Sequence, residues 1–130
     1  MILLDTNALL WYLAGDTSLS KKAKLAIEAE EEADGVLAIS NITLYEVAFL
    51  VQRKHVIIKT SIDLYLEKVA KGFALLQITP PIAAKAAQMP AGFPRDPADR
   101  IIGATAIVEG LALVTSDGLI RKSSLVRTVW

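Results

Sequence analysis

Asp5, Glu46, Asp99 and Asp117 stand where an α/β chain would gather them at one edge, and together they have the chemistry of a cation site. Asp5 closes an apolar strand pattern, Ile2-Leu3-Leu4, and Asp117 follows another that runs from Leu111 to Thr115. Glu46 and Asp99 each fall in the first turn of a predicted helix. In an open parallel sheet, the strand C-termini and the helix starts that follow them share one edge, where ligands bind. Four carboxylates placed there repel one another unless a cation sits among them. Hard divalent ions such as Mg²⁺ take carboxylate and water oxygens and commonly bridge a protein to phosphate. The pattern points to metal-dependent chemistry on a phosphodiester.

Each acid also has an ordinary structural use. Asp5 or Asn7 can cap the helix that follows the first strand. Thr43-Leu-Tyr-Glu46 reads as a capping box, with Ile42 and Val47 as its hydrophobic staple. Asp96 before Pro97 is the expected N-cap of the next helix. That leaves Asp99 either as a capping partner or as a free carboxylate facing the site. Asp117-Gly118 is a common turn dipeptide. In the functional reading Thr115, Ser116 and Asp117 offer oxygens to a metal or its waters. Joint placement, rather than any one residue, favours a site.

The elements that must position these groups alternate. Strands are expected over 2–5, 36–40, 74–78 and 111–115, with a short edge strand over 126–130. Helices are expected over 7–13, from a Ser18 or Ser20 cap to about Glu32, over 43–53, from a Thr60 or Ser61 cap to Gly72, from Thr79-Pro80 to Pro90, and from Asp96-Pro97 to Glu109. Strand–helix alternation with short connections means right-handed crossovers. The expected fold is therefore α/β, a three-layer α/β/α domain with a parallel four- to five-stranded sheet spanning residues 1–130.

Composition bounds the function. Of 130 residues 53% are hydrophobic, which suits strands buried on both faces and leaves apolar surface for a partner or a second copy. Lys+Arg and Asp+Glu each number 14, so bulk charge gives nucleic-acid binding no support and any basic footprint is local. Arg95 and Arg100 flank Asp99, and Arg121 and Lys122 follow Asp117; these are the candidate phosphate-backbone contacts. The chain has no cysteine, which excludes thiolate metal sites and cysteine catalysis. Its single histidine, His55, excludes a two-histidine ribonuclease mechanism. Apolar runs are too short to span a membrane, so a cytoplasmic protein is expected.

Taken in order, Asp5-Thr-Asn7, Thr43-x-x-Glu46, Asp96-Pro-x-Asp99-Arg100-x-Ile102 and Thr115-Ser-Asp117 resemble the PIN domain from residue 2 to about 120. Within that family the chain is most similar to the toxins of VapBC type-II toxin–antitoxin systems. The resemblance implies a Mg²⁺- or Mn²⁺-dependent ribonuclease in which Asp5, Glu46, Asp99 and Asp117 are the acidic quartet. Thr6, Asn7 and Thr115 would be its polar support. It also implies a homodimer silenced by a small antitoxin that inserts a segment near the site. Many relatives carry His near the position before Arg-Asp-Pro, where this chain has Phe93-Pro94.

The expected mechanism places one or two Mg²⁺ on Asp5, Asp99 and Asp117, partly through water, with Glu46 completing or orienting the shell. Water attacks in line, leaving a 5′-phosphate and a 3′-hydroxyl if the family chemistry holds. Asp5→Ala and Asp99→Ala are expected to abolish cleavage with the fold intact. The rival readings are a catalytically silent PIN-like interaction module and a metal-dependent DNase. A receiver-type phosphoryl-transfer domain fits less well, because it needs adjacent acids after the first strand.

Overall fold

The computed structural model describes residues 1–130. Five short strands, β1 (Ile2–Leu4), β2 (Leu37–Ser40), β3 (Ala74–Leu76), β4 (Leu113–Val114) and β5 (Thr128–Val129), form one sheet in the order β3-β2-β1-β4-β5. Every neighbouring pair is parallel. Seven helices complete the chain: α1 (Thr6–Ala14), α2 (Lys21–Glu32), α3 (Asn41–Gln52), α4 (Ile62–Gly72), α5 (Pro80–Ala87), α6 (Pro97–Glu109) and α7 (Gly118–Lys122). No helix is long and apolar enough to cross a membrane.

The period-2 alternation of strand side chains sorts them into two cores. Ile2, Leu4, Leu37, Ile39 and Val114 face one side, where Ala8, Leu9, Ala23, Ile27, Val47 and Val69 bring in α1 to α4. Leu3, Ala38 and Leu113 face the other, against Ile82, Ala86, Ile102, Ala106 and Ile120 from α5 to α7. The result is the three-layer α/β/α arrangement expected from the alternation of elements. At about 1.5–3 kcal/mol per fully buried large aliphatic side chain, these two layers are the main source of stability.

Strand order puts a switch point between β1 and β4. After β1 the chain steps outward to β2 and β3, then returns to the far side of β1 for β4 and β5. In such sheets the crevice beyond the strand ends at the switch point is where ligands bind. Asp5 immediately follows β1, and Thr115-Ser116-Asp117 follow β4.

The strands are shorter than expected. Leu111 and Ala112 precede β4, although the Ala112 carbonyl still accepts from the Leu3 N–H, and Gln77 and Ile78 lie beyond β3. At the C-terminus Trp130 turns back onto α1, its ring centroid 5.7 Å from that of Trp11.

The Met89–Pro94 segment packs onto α6 at Gly103. A Cβ at that position would lie 2.5 Å from Cζ of Phe93, whose ring is buried. Gly103→Ala is therefore expected to displace Phe93 and lower stability by about 1–3 kcal/mol, despite the better helix propensity of alanine. An unchanged urea midpoint would show that the ring has room to move.

Candidate active site

Asp5 is the last rung between β1 and β4. Its N–H donates to the Val114 carbonyl at 3.1 Å, and its own backbone is extended. Its Oδ1 accepts from the Ala8 N–H at 2.7 Å, so Asp5 caps α1 as well as facing the crevice. The residue is only 8% exposed. Burial pushes its carboxyl above the usual range; the Thr115 hydroxyl and the Ala8 N–H pull it partly back, and the Asp117 charge raises it again. Thr115 also accepts from the Asp117 N–H at 3.1 Å, tying the two acidic strand ends together.

Glu46 arrives by a different route from the one expected. Ser40 ends β2 and caps α3 at once, its Oγ accepting from the Ile42 N–H at 3.3 Å. The helix starts at Asn41, so Glu46 lies in its second turn and the Thr43–Glu46 capping box with its Ile42–Val47 staple does not form. Thr43 Oγ1 is instead buried without a hydrogen-bond partner. Glu46, half-buried, accepts from the Thr6 hydroxyl through Oε1. Burial raises its carboxyl, the Thr6 bond lowers it, and the charges of Asp96 and Asp5 raise it further.

At α6 the two acids separate their duties. Asp96 Oδ1 accepts from the Ala98 and Asp99 N–H groups at 2.8 and 3.2 Å, and Pro97 occupies the first helical position. Asp99 is left as a free carboxylate turned to the crevice. Its pKa is pushed up to about 7, first by burial and then by the charges of Asp96, Glu46, Asp117 and Asp5. All four neighbours act on one proton because they share one cavity or its rim.

Asp117 does not sit in a simple turn. Its Oδ1 accepts from Leu119 and Ile120, both at 2.9 Å, and so starts α7, a five-residue helix absent from the sequence expectation. Asp5, Thr6, Asn7, Glu46, Asp96 and Asp99 line a cavity of about 510 Å³; Asp117, Thr115 and Ser116 lie outside its lining.

The basic residues are less concentrated. Arg100 Nε donates to the Pro94 carbonyl at 2.8 Å and Nη1 to Met89 at 3.2 Å, so its guanidinium fastens the 89–94 segment to α6. These bonds engage Nε and Nη1 and leave other guanidinium N–H groups for the expected phosphate contact. Arg100→Lys is expected to cost roughly 1–3 kcal/mol of stability, since an ammonium cannot span both carbonyls. The salt dependence of RNA binding should be unchanged, because lysine keeps the charge; a weaker binding with a shallower slope would show that the guanidinium itself meets phosphate. Arg95 is exposed beside Asp96, and Arg121 and Lys122 are exposed in the last turn of α7.

No three acidic side chains stand close enough to grip one ion together. The donors are nonetheless all oxygen, and their charges are mutually unfavourable in the absence of a cation. Mg²⁺ keeps several waters and is held by one or two carboxylates together with substrate phosphate. The residues fit a largely hydrated ion of that kind and not a closed protein cage. Two other features of the cavity are the exposed rings of Tyr45, which the sequence did not single out, and Phe49, which with Leu50 and Val51 reads in the sequence only as an apolar extension of the Glu46 helix, part core and part partner-covered. Their spacing around Glu46, one residue before and three after, was the available signal.

A parallel α/β/α domain with carboxylates at its switch point is the arrangement of a nuclease class. The PIN domain model matches residues 2–123, and the chain belongs to that family. It is 37% identical over 131 aligned positions to Ribonuclease VapC22 of Mycobacterium tuberculosis (strain ATCC 25618 / H37Rv), an alignment covering 99% of this chain and 98% of the relative. A toxin–antitoxin complex from Klebsiella pneumoniae is similar in structure, with a TM-score of 0.64 at 27% identity over 90% of this chain and 87% of that one. VapBC2 from Rickettsia felis, bound to a DNA fragment from its promoter, shares the fold with a TM-score of 0.73 at 18% identity, over 98% of this chain and 97% of that one.

Proposed function

We propose that this chain is a cytoplasmic, Mg²⁺- or Mn²⁺-dependent endoribonuclease and the toxin of a VapBC-type pair. The observation that carries the reading is that Asp5, Glu46, Asp96 and Asp99 line one cavity, with Asp117 outside its lining but near enough for its charge to act on Asp99. The full-length similarity to a named ribonuclease supports it.

Asp5 and Asp99, with Asp117, would hold the ion, partly through water. When bound, the ion supplies an activated water near neutral pH and offsets charge on the scissile phosphate. The protein's own part is positional. The Thr6 hydroxyl fixes Glu46, and the Ala8 N–H fixes one oxygen of Asp5. Thr115 ties the two strand ends. Asn7 is exposed at the mouth, where it can donate to a phosphate oxygen. Arg95, Arg121 and Lys122 are exposed cations free to meet the rest of the RNA backbone.

A cognate antitoxin has a place to bind. A groove of about 940 Å³ runs between α1, α4 and the 55–60 segment, and it shares Asn7 and Leu50 with the acidic cavity. Trp11, Ile58 and Phe73 make it apolar, with Lys59, Lys68 and Asp16 as its charges. A segment laid there would end beside the acids. A homodimer belongs to the same reading, supported by exposed apolar residues such as Leu119 and Leu125.

Incubating a mixed RNA pool with the purified protein, with and without EDTA, tests the proposal. Metal-dependent products with 5′-phosphate ends are expected. Cleavage that persists in EDTA, or none with either ion, would overturn it.

A further inference from the structure

The wall of the acidic cavity is one stripe of α3. Ile42, Tyr45, Glu46, Phe49 and Leu50 recur at the spacing that places residues on a single helix face. Two aromatic rings thus flank an acid of the site. They are not core: Tyr45 is 65% and Phe49 44% exposed. The rings stack, with centroids 6.2 Å apart and planes 30° apart. One turn further, the Arg53 guanidinium carbon lies 4.7 Å from the Phe49 ring centroid.

We propose that Tyr45 and Phe49, edged by Arg53, form a platform on which a nucleobase of single-stranded RNA stacks beside the scissile phosphate. The inference rests on the ribonuclease reading and deepens it.

Three considerations favour a base over a protein side chain. First, the cavity has a chemical problem that stacking solves. Its acids repel phosphate, the chain carries no net positive charge, and Arg100 is partly engaged by backbone carbonyls. Beyond what the exposed Arg95, Arg121 and Lys122 supply, affinity for RNA gains from a source indifferent to charge, and stacking on aromatic rings is such a source for single strands. Second, the platform and Glu46 share a helix face, so a base seated on the rings holds its own phosphate toward the acids. Third, Arg53 adds the one cation on this stripe, placed against a ring where a guanidinium also meets the next phosphate. In an A-form duplex the bases are already stacked and cannot reach such a cavity, so the substrate is a loop or an unpaired stretch.

The test uses the full-length protein with short single-stranded RNA carrying 2-aminopurine, whose fluorescence is quenched on stacking, scanned along the oligonucleotide. Quenching is expected at one position next to the cleavage site. Phe49→Ala and Tyr45→Ala should abolish it and raise KM roughly tenfold or more, with kcat far less affected. Phe49→Tyr should restore both. An abasic nucleotide at the quenched position should penalise the native protein but add nothing to the penalty in Phe49→Ala. The salt slope of binding should be unchanged by either ring substitution and shallower in Arg53→Gln.

Native-like KM and quenching in both alanine variants would overturn the platform while leaving the ribonuclease reading intact. A changed oligomeric state in those variants, with KM unaltered, would overturn it in favour of a protein-covered face. Failure of the native protein to cleave any RNA in Mg²⁺ or Mn²⁺ would remove both readings.

Discussion

The Asp99→Asn protein is expected to lose at least a hundredfold in metal-dependent RNA cleavage while becoming more stable than the native protein without metal. Both effects have one cause. Asp99 is half-buried and caps nothing, and burial first, then the charges of four other acids, push its pKa up to about 7. Such a carboxylate is costly to the fold and is useful only when a cation compensates it. Even outer-shell partners of metal ligands cost about 10–100-fold when replaced, so a direct ligand should cost no less. Asparagine keeps the size and removes the charge. Single-turnover cleavage and thermal melts in EDTA, run on the same preparation, check the pair of effects. Retained cleavage would remove Asp99 from the site, and a lower melting temperature would show that its charge is not a burden.

Stability without metal should fall as pH rises from about 4 to above 7, and divalent cations should reverse the loss. The sign follows from linkage. Asp99 has a folded pKa raised from 3.8 to about 7, so across that interval the native state holds a proton that the unfolded chain has released. Its stabilising contribution is complete below the unfolded value and disappears as pH climbs through the folded one. Asp5 and Glu46 are shifted in the same direction and add to the trend. Mg²⁺ or Mn²⁺ must compete with these protons. At a hundredfold excess over Kd, an ion should raise Tm by on the order of 10 °C at pH 8 and by much less at pH 5. Scanning calorimetry at both pH values decides it. Equal shifts at the two, or none at either, would mean that the crevice does not take up the ion through these groups.

Most of the architecture was legible because strong local signals agreed with the global one. Asp96-Pro97 and Thr79-Pro80 start helices where expected, and Gly15 and Gly110 stop them with positive φ. What escaped the sequence were choices made by tertiary context. Ser40 and Thr43 are both competent caps, and only the end of β2 decides that the helix opens at Asn41. The α7 helix is too short to display a period, so its start looked like a turn. Arg100 sits among acids in sequence but reaches carbonyls six and eleven residues behind it, which only the folded path of that segment reveals. At the site, Asp5, Asp99 and Asp117 stand at strand ends and a helix start as expected, while Glu46 falls one turn further into its helix; the rings beside it were not readable as site features, since an exposed aromatic in a helix resembles any other apolar residue until its surroundings are known.

The doubling of Asp5, Asp96 and Asp117 as helix caps has a bearing on how divergent relatives are interpreted. Each holds open N–H groups that would otherwise go unsatisfied, worth about 1 kcal/mol apiece. A descendant that had abandoned nuclease work would still be penalised for discarding them, so their persistence says little about catalysis. Glu46 and Asp99 carry no such obligation, and they are the positions whose drift would mark a lineage turned to another trade.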